Sequence, residues 1–195
     1  MKLALFGGAF DPIHTAHLRI AKEAIDGCEL DRVLFVPAAN PPHKSVHAPF
    51  EDRYRMVELA LANEPAMRPS RLEADTAHSY SIDTIEKLKP ELKPEDRLFF
   101  LIGADAFAEI RTWKQWQEVA KAVEFIVVSR PGNKYEIPPE TSIYRLDKVH
   151  LAISSSQIRA QLAAGDKSVD APPAVLNYIR DRKLYGAGHI GFAES

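Results

Sequence analysis

Several features that other classes of protein depend on are scarce or absent in this sequence. Its 195 residues include one cysteine, Cys28, which excludes an internal disulfide and a CxxC-type metal cluster. Because Cys28 follows Ile25 near the end of a helical pattern, we predict a packed thiol rather than a reactive one. The net charge is −2 with both signs distributed along the chain, so the basic field typical of a nucleic-acid-binding protein is missing. No apolar run approaches the roughly 20 residues that a membrane span needs, and the N-terminus shows no secretory signal. We therefore expect a cytoplasmic protein that binds neither nucleic acid nor membrane.

Apolar runs alternate with helical patterns along the chain, which is typical of a parallel sheet flanked by helices. The predicted strands cover about Leu3–Phe6, Arg32–Val36, Arg68–Leu72, Leu98–Ile102, Phe125–Val128 and a short piece of Ile143–Leu151. The predicted helices cover about Thr15–Ile25, Phe50–Leu61, Ser81–Leu88, Phe107–Val123, Ser155–Ala164 and Pro173–Lys183. We predict one α/β domain over residues 1–185, Rossmann-like and doubly wound, with a mainly parallel sheet and a helical C-terminal subregion. Residues 186–195 are predicted to form a loosely ordered tail.

The stretch Phe6–His17, FGGAFDPIHTAH, joins the first strand to the first helix. A strand, a glycine turn and a helix N-terminus together form an anion site, because backbone N–H groups point outward and the helix dipole favours phosphate. Glycine at positions 7 and 8 lets a phosphate or a ribose approach the backbone. His14 and His17 are three residues apart, so both imidazoles can reach one ligand from the same helical turn. No GxGxxG turn follows the strand, so this is not the usual dinucleotide fingerprint.

Other polar segments follow the remaining strands and are expected to meet this stretch. Pro41–Lys44 follows the second strand, Gly103–Asp105 follows the strand Leu98–Ile102, and Ile153–Arg159, ISSSQIR, opens a late helix. In an open α/β sheet ligands bind at the carboxyl ends of the strands, where these segments are predicted to converge. The pattern therefore favours a phosphate-binding site built from four separate segments.

The GGxFDPxHxxH spacing and the ISSSQIR segment resemble the two signatures of the HxGH nucleotidylyltransferase superfamily. The segments PPHK at 41–44, SYSIDT at 79–84, GAD at 103–105 and TWKQW at 112–116 narrow the match. Together they resemble bacterial nicotinate-nucleotide adenylyltransferases from Lys2 to about Tyr185. Three positions differ from the usual pattern of the family. Ala9 replaces threonine, Ala16 replaces the HxGH glycine, and Ser156 replaces threonine with its hydroxyl retained.

The resemblance implies transfer of the adenylyl group of ATP to nicotinate mononucleotide, giving nicotinate adenine dinucleotide (deamido-NAD) and pyrophosphate in NAD biosynthesis. The acceptor phosphate is an anionic nucleophile that needs no general base, so catalysis is mainly charge neutralisation. The residues implied for catalysis are His14, His17, Lys44 and Arg159. Those implied for ATP binding are Gly7, Gly8, Phe10, Gly103, Asp105, Ile153 and Ser156. Those implied for the nicotinate nucleotide are Tyr80, Thr84, Trp113, Lys114 and Arg130. Mg²⁺ is expected to be bound through the ATP phosphates, with no protein metal site.

Less specific interpretations remain for several of these residues. Asp105 also fits a helix N-cap, and Arg130 also fits a residue that ends a strand. Trp113 and Trp116 are three apart, and we expect one of them in the core and Trp113 on the ligand. The same chemistry on nicotinamide mononucleotide or phosphopantetheine is the nearest alternative function. A non-catalytic nucleotide-binding module is a remote one, and a homo-oligomer stays open.

Overall fold

The structure, a computed structural model, describes residues 1–41, 45–129, 135–139, 141–147, 153–166 and 168–187. Its strands are β1 (Lys2–Gly8), β2 (Arg32–Pro37), β3 (Met67–Pro69), β4 (Arg97–Gly103), β5 (Glu124–Val128) and β6 (Ile143–Leu146). Its helices are α1 (Thr15–Cys28), α2 (Phe50–Leu61), α3 (Ser81–Leu88), α4 (Ala104–Ala108), α5 (Trp116–Ala122), α6 (Ser155–Ala163) and α7 (Pro173–Asp181). The strands form one sheet in the order β3-β2-β1-β4-β5-β6, and every neighbouring pair is parallel.

Alternating residues of β1 belong to different cores, because successive side chains of a strand point to opposite faces of the sheet. Ala4 and Phe6 belong to the core that contains apolar residues of α1, α2, α6 and α7. Leu3 and Leu5 belong to the core that contains residues of α3, α4 and α5. Both faces of the sheet are therefore covered by helices, which confirms the predicted doubly wound α/β domain.

The strand order places the change of winding direction between β1 and β4. The chain runs from β1 outward to β2 and β3, and then crosses to β4 on the other side of β1. β1 pairs with both β2 and β4, with Phe6 opposite Phe35 and Leu101. Ligands of open α/β sheets bind outside the carboxyl ends of the strands at such a point. The loops after β1 and β4 are thus where a site is expected.

The long helix predicted over 107–123 is wrong. In the structure α4 is followed by a 3₁₀ turn over Ile110–Thr112, and α5 begins only at Trp116. The Thr112 hydroxyl donates to the Glu109 carbonyl at 2.7 Å, and Gln115 has a left-handed backbone (φ 51°) that interrupts a helix. Trp113 therefore lies in the break between two helices rather than on one helical stripe.

The other boundaries differ less from the predictions. β3 is Met67–Pro69, shorter and earlier than the predicted strand over residues 68–72. The core reaches Ala187, which is buried, two residues past the predicted domain end, while residues 188–195 of the predicted tail lie outside the described residues. Cys28 is buried as predicted, and burial raises the pKa of its thiol. In the described ranges, no helix is long and apolar enough to cross a membrane.

Candidate active site

The two histidines meet at the start of α1. His14 is the N-cap residue with an extended backbone, and His17 is three residues into the helix. The backbone N–H of His14 donates to Nδ1 of His17 at 3.2 Å, and the two ring centroids are 3.8 Å apart. The predicted juxtaposition of the imidazoles is therefore present, with the His14 backbone orienting the His17 ring.

His14 is buried, and its ring is short of hydrogen-bond partners. The residue is 4% exposed, and its Nδ1 atom has no hydrogen-bond partner among the residues that the structure describes. Burial lowers the pKa of His14 to about 4, and the nearby Asp170 carboxylate offsets only part of this effect. His14 is therefore neutral at pH 7, and its buried Nδ1 has hydrogen-bonding capacity available.

Aromatic rings support His17 from the side of the core. The Phe10 and Phe6 rings pack edge-on to the imidazole, with centroids 5.1 and 6.0 Å away. Phe10 is 2% exposed and has a left-handed backbone (φ 45°), so its predicted contact with ATP stays a prediction, while its contact with His17 is present. A Cβ at Gly8 would lie 3.1 Å from the Phe10 ring. Gly8 thus makes room for Phe10, a role that the sequence did not indicate.

The remaining predicted ATP residues on the sheet border the crevice between β1 and β4. Gly7 is the second-last residue of β1 and Gly103 is the last residue of the adjacent parallel strand β4, and both are exposed. A Cβ at Gly103 would meet no atom within 4 Å, so open space lies beside this backbone. Asp105 is exposed in the first turn of α4. These residues lie at the carboxyl ends of β1 and β4, where binding of the adenylate part of ATP is predicted.

The ISSSQIR segment is bonded directly to the FDP turn, as predicted from the convergence of the segments. Arg159 donates from Nη1 to the Asp11 carbonyl at 2.7 Å, and the Ser155 hydroxyl donates to the Pro12 carbonyl at 3.1 Å. Ser154 caps α6 by accepting from the Gln157 N–H, so the N-terminus of α6 begins beside this turn.

Ile153 and Ser156 lie at the start of the same helix. Ile153 is half-buried against the core, whereas Ser156 is exposed. The Ser156 hydroxyl accepts from Nη2 of Arg159 at 3.4 Å. Arg159 is thus held by two oxygens, one from each signature segment.

The SYSIDT and TWKQW segments also come together. Lys114 donates to both carboxylate oxygens of Asp83 at 3.0 Å, and its Nζ lies 4.8 Å from the centroid of the Tyr80 ring. Trp113 is half-buried and packs edge-on to Phe100, with centroids 5.7 Å apart. Tyr80, Lys114 and Trp113 therefore lie on neighbouring elements, as a shared acceptor pocket requires.

Thr84 is buried, and its hydroxyl is already engaged. It is 4% exposed and donates to Oε1 of Glu73 at 2.5 Å. Glu73 is itself buried, and burial raises the pKa of its carboxyl group despite hydrogen bonds from Thr84 and Ser79. The Thr84 side chain thus joins the first half of α3 to Glu73, a residue that was not singled out from the sequence.

Two buried charged residues, Asp11 and Arg53, were not singled out from the sequence. The Asp11 carboxylate accepts from the N–H groups of His47 and Ala48 at 2.6 and 3.1 Å and from the Tyr185 hydroxyl at 2.6 Å. Arg53 is completely buried, and burial lowers the pKa of its guanidinium. A signal for Arg53 existed, because it lies one helical turn before the apolar position Val57 on the buried face of α2.

Two predicted cations lie outside the described residues, namely Lys44 in the segment 42–44 and Arg130 in the segment 130–134. Their assignments remain predictions. Within the described ranges, no group of three or more His, Cys, Asp or Glu side chains could hold a metal ion.

Comparison with known proteins agrees with this geometry. A cytidylyltransferase-like family model matches residues 5–161. A probable nicotinate-nucleotide adenylyltransferase from Solibacter usitatus is 60% identical over 187 residues, covering 95% of this chain and 100% of the relative. The chain belongs to the nicotinate-nucleotide adenylyltransferase family. A second relative with the same name, from Thermus thermophilus, is 44% identical and covers 95% of this chain and 100% of its own.

Solved structures show the same fold. The nicotinic acid mononucleotide adenylyltransferase of Plasmodium falciparum, complexed with NaAD, superposes with a TM-score of 0.77 at 22% identity. The match covers 94% of this chain and 97% of that chain. The family membership and the α/β fold implied by the sequence motifs are therefore confirmed.

Proposed function

We propose that this protein transfers the adenylyl group of ATP to nicotinate mononucleotide and releases pyrophosphate, forming nicotinate adenine dinucleotide. The observation that carries the proposal is the direct bonding of the α6 start to the FDP turn, which brings Arg159 to the residues that precede the His14–His17 pair. The names of relatives 60% and 44% identical to this chain support the same reaction. We also propose a cytoplasmic location, because the reaction consumes ATP.

The reaction joins two polyanions, so its main requirement is charge neutralisation. The acceptor phosphate attacks the α-phosphorus of ATP, the bond to the bridging oxygen breaks, and pyrophosphate leaves with its negative charge stabilised. His14 and His17 would donate hydrogen bonds to α- and bridging-phosphate oxygens, while Arg159 and Lys44 would supply positive charge to the β- and γ-phosphates. The N–H groups at the start of α6 add further donors.

No general base is needed at His14, which agrees with its burial. A phosphate dianion is already a nucleophile, so a neutral imidazole acting as a hydrogen-bond donor is sufficient. The lowered pKa of His14, about 4, keeps it neutral before substrate binds. A bound triphosphate would favour the protonated form of His14 and so strengthen its hydrogen bond to phosphate.

The acceptor would bind between α3 and the Trp113–Lys114 segment. We propose that the Trp113 indole stacks on the pyridine ring and that Tyr80 and Lys114 border the nicotinate carboxylate. Gly7, Gly8, Gly103 and Asp105 would hold the adenylate part of ATP in the crevice between β1 and β4. Mg²⁺ would enter with its substrate as MgATP, since it binds mainly phosphate oxygens and water.

Pyrophosphate release measured side by side with three acceptors tests the substrate. The purified protein is given MgATP with nicotinate mononucleotide, nicotinamide mononucleotide or phosphopantetheine, and the adenylylated product is identified by mass. We expect the highest kcat/KM with the nicotinate form. Equal or higher kcat/KM with either alternative would contradict nicotinate mononucleotide as the preferred acceptor. No turnover with any of the three would favour a non-catalytic nucleotide-binding module.

The variant His17→Ala tests the chemistry. It removes a donor to the reacting phosphate, so kcat should fall roughly 10²–10³-fold, as when an oxyanion donor is lost. Measuring kcat and KM for ATP separately identifies the step affected. Weak ATP binding with normal turnover at saturation would contradict the role assigned to His17.

A further inference from the structure

The carboxylate of Asp11 is a buried junction between distant parts of the chain. Asp11 is 2% exposed, and its side chain accepts hydrogen bonds from residues 36 and 37 positions later, His47 and Ala48. A third donor, Tyr185, comes from 174 positions later. Nδ1 of His47 is also 3.3 Å from the carboxylate. A buried carboxylate needs such partners, because an unpaired charge in the interior is costly.

The C-terminal segment that supplies Tyr185 has an unusual backbone. Lys183, Tyr185 and Gly186 all have positive φ values, of 53°, 57° and 76°. A left-handed conformation is unfavourable for the two residues that carry a Cβ, and here it directs the Tyr185 hydroxyl to Asp11 at 2.6 Å. Burial and the Asp11 carboxylate both raise the pKa of Tyr185, so its hydroxyl keeps the donating proton.

The backbone of the same turn holds the second signature segment. Arg159 donates to the carbonyl of Asp11 itself, and Ser155 donates to the carbonyl of the next residue, Pro12. His14 follows two residues later. A shift of Asp11 would therefore move Arg159, the start of α6 and the histidine pair relative to one another.

We propose that Tyr185 is a positioning residue for adenylyl transfer: its hydroxyl fixes the Asp11 carboxylate, and through it the loop 45–48 and the α6 start, against the histidine pair. This inference rests on the proposed function. Tyr185 touches no reacting atom in it. Its effect is on the geometry in which phosphate ligands supplied by different segments meet, where displacements of about 1 Å can cost up to 10²-fold in rate.

A second tyrosine provides a matched control. The Tyr178 hydroxyl donates to the buried carboxylate of Asp52 at 2.7 Å, so it too ties the C-terminal region to an earlier segment. Asp52 lies on α2 and keeps a second donor, Nε of Arg182 at 3.2 Å, when the hydroxyl is lost. Asp11 likewise keeps the two backbone donors of its loop. Tyr185→Phe and Tyr178→Phe therefore each remove one hydroxyl from a buried aspartate, but Asp11 also accepts a hydrogen bond from Arg159, whereas Asp52 lies on α2.

The test compares kcat, KM for each substrate and the urea midpoint of unfolding for the unaltered protein and both variants. We expect Tyr185→Phe to lower kcat about tenfold. Its KM for nicotinate mononucleotide should stay within about twofold, because the acceptor residues lie on elements that Asp11 does not contact. Tyr178→Phe should lose a similar amount of stability and keep kcat within about twofold.

The outcomes separate the inference from the proposed function. If the unaltered protein does not convert nicotinate mononucleotide, the proposed function is wrong, whatever the two variants do. If it does and the two variants have equal kcat, or if Tyr185→Phe acts mainly on the KM for the acceptor, the positioning role is wrong. Should Tyr185→Phe fold poorly at the assay temperature, kcat and KM of all three proteins are measured at a lower temperature at which each is folded, and the same split between kcat and KM is expected.

Discussion

His14 combines burial, a nitrogen that finds no hydrogen-bond partner in the described part of the chain, and close contact with a second imidazole. The rings of His14 and His17 have centroids 3.8 Å apart, so protonating both in the free protein would place like charges in contact. Burial already lowers the pKa of His14 to about 4. The site therefore contains a neutral imidazole. Protonating it in acid should lower the free energy of unfolding.

The stability of the protein should consequently fall in mild acid because of His14. Its pKa is near 6.5 in an unfolded chain and about 4 in the folded state, so only the unfolded state takes up the proton between these values. The contribution is fully present above pH 6.5 and is lost as the pH falls toward 4, by roughly 3 kcal/mol in total. Urea unfolding at pH 7 and 4.5 measures it. His14→Asn, which keeps an N-cap side chain, should show a smaller loss, and parallel losses in the two proteins would contradict the assignment.

Gly8 is a residue whose importance was predictable from the sequence and whose steric role was not. The glycine pair was predicted in the turn after the first strand, whereas the structure places both glycines at the end of β1. The steric reason for Gly8 depends on Phe10, whose left-handed backbone (φ 45°) turns its ring back toward the strand. Nothing in composition or periodicity indicates a left-handed phenylalanine, since such backbones are uncommon outside glycine.

The two glycines should therefore respond differently to the same added methyl group. In Gly8→Ala the Cβ would lie 3.1 Å from the Phe10 ring, whereas in Gly7→Ala it would lie at an ordinary 3.8 Å from Phe100. We expect the first substitution to lower the free energy of unfolding by about 1–3 kcal/mol through overpacking, and the second by much less. Denaturant unfolding of both variants checks this. Equal losses would mean that the Phe10 ring moves aside freely.

At the scale of elements, the sequence was most reliable where an apolar period is unbroken. α2 and α3 have the predicted bounds, and β1, β2, β4 and β5 lie within one or two residues of theirs. The prediction failed over 107–123, where the helical period continues but the backbone does not. A threonine hydroxyl that bonds a carbonyl three residues earlier and a left-handed Gln115 are local competitors that periodicity does not register.

The interruption of the helix between α4 and α5 places Lys114 beside Asp83 and Tyr80. This placement can be tested. Lys114 pairs with Asp83 on α3 and lies over the Tyr80 ring, whereas Lys121 on α5 pairs with Glu118 of its own helix. We expect Lys114→Ala to raise the KM for nicotinate mononucleotide about tenfold with little change in the KM for ATP. Lys121→Ala is the control and should change neither. A larger increase in the KM for ATP than in the KM for nicotinate mononucleotide would contradict the placement of Lys114 in the nicotinate pocket.

At the scale of the molecule, the sheet edge where the segments converge was predictable and the way they are joined was not. Parallel strands put their carboxyl ends at one edge whatever their sequence separation, so placing the motifs after strands was sufficient. The connections between those loops are made by buried charges such as Asp11 and Arg53. Their partners are mostly backbone groups, which every residue offers, so no sequence pattern identifies them.

Arg53 is the clearest case, because it joins three loops through their backbone carbonyls. Its guanidinium donates to the carbonyls of Ala9 and Ala38 at 2.7 Å and of Ala48 and Ala39 at 3.0 and 3.3 Å. Substituting a single residue should therefore loosen the turn after β1, the end of β2 and the loop before α2 together.

Arg53→Met keeps much of the buried volume but leaves those carbonyls without a donor. Each buried polar group left unpaired costs about 1–3 kcal/mol, so the variant should lose at least about 3 kcal/mol of unfolding free energy. Arg55→Met, two residues along the same helix, removes an exposed arginine that pairs with Glu58 and should change stability by less than about 0.5 kcal/mol. Urea unfolding of the two variants measures the difference. If Arg53→Met were as stable as Arg55→Met, the carbonyls would have to find other donors, and Arg53 would not be what holds the three loops at the sheet edge.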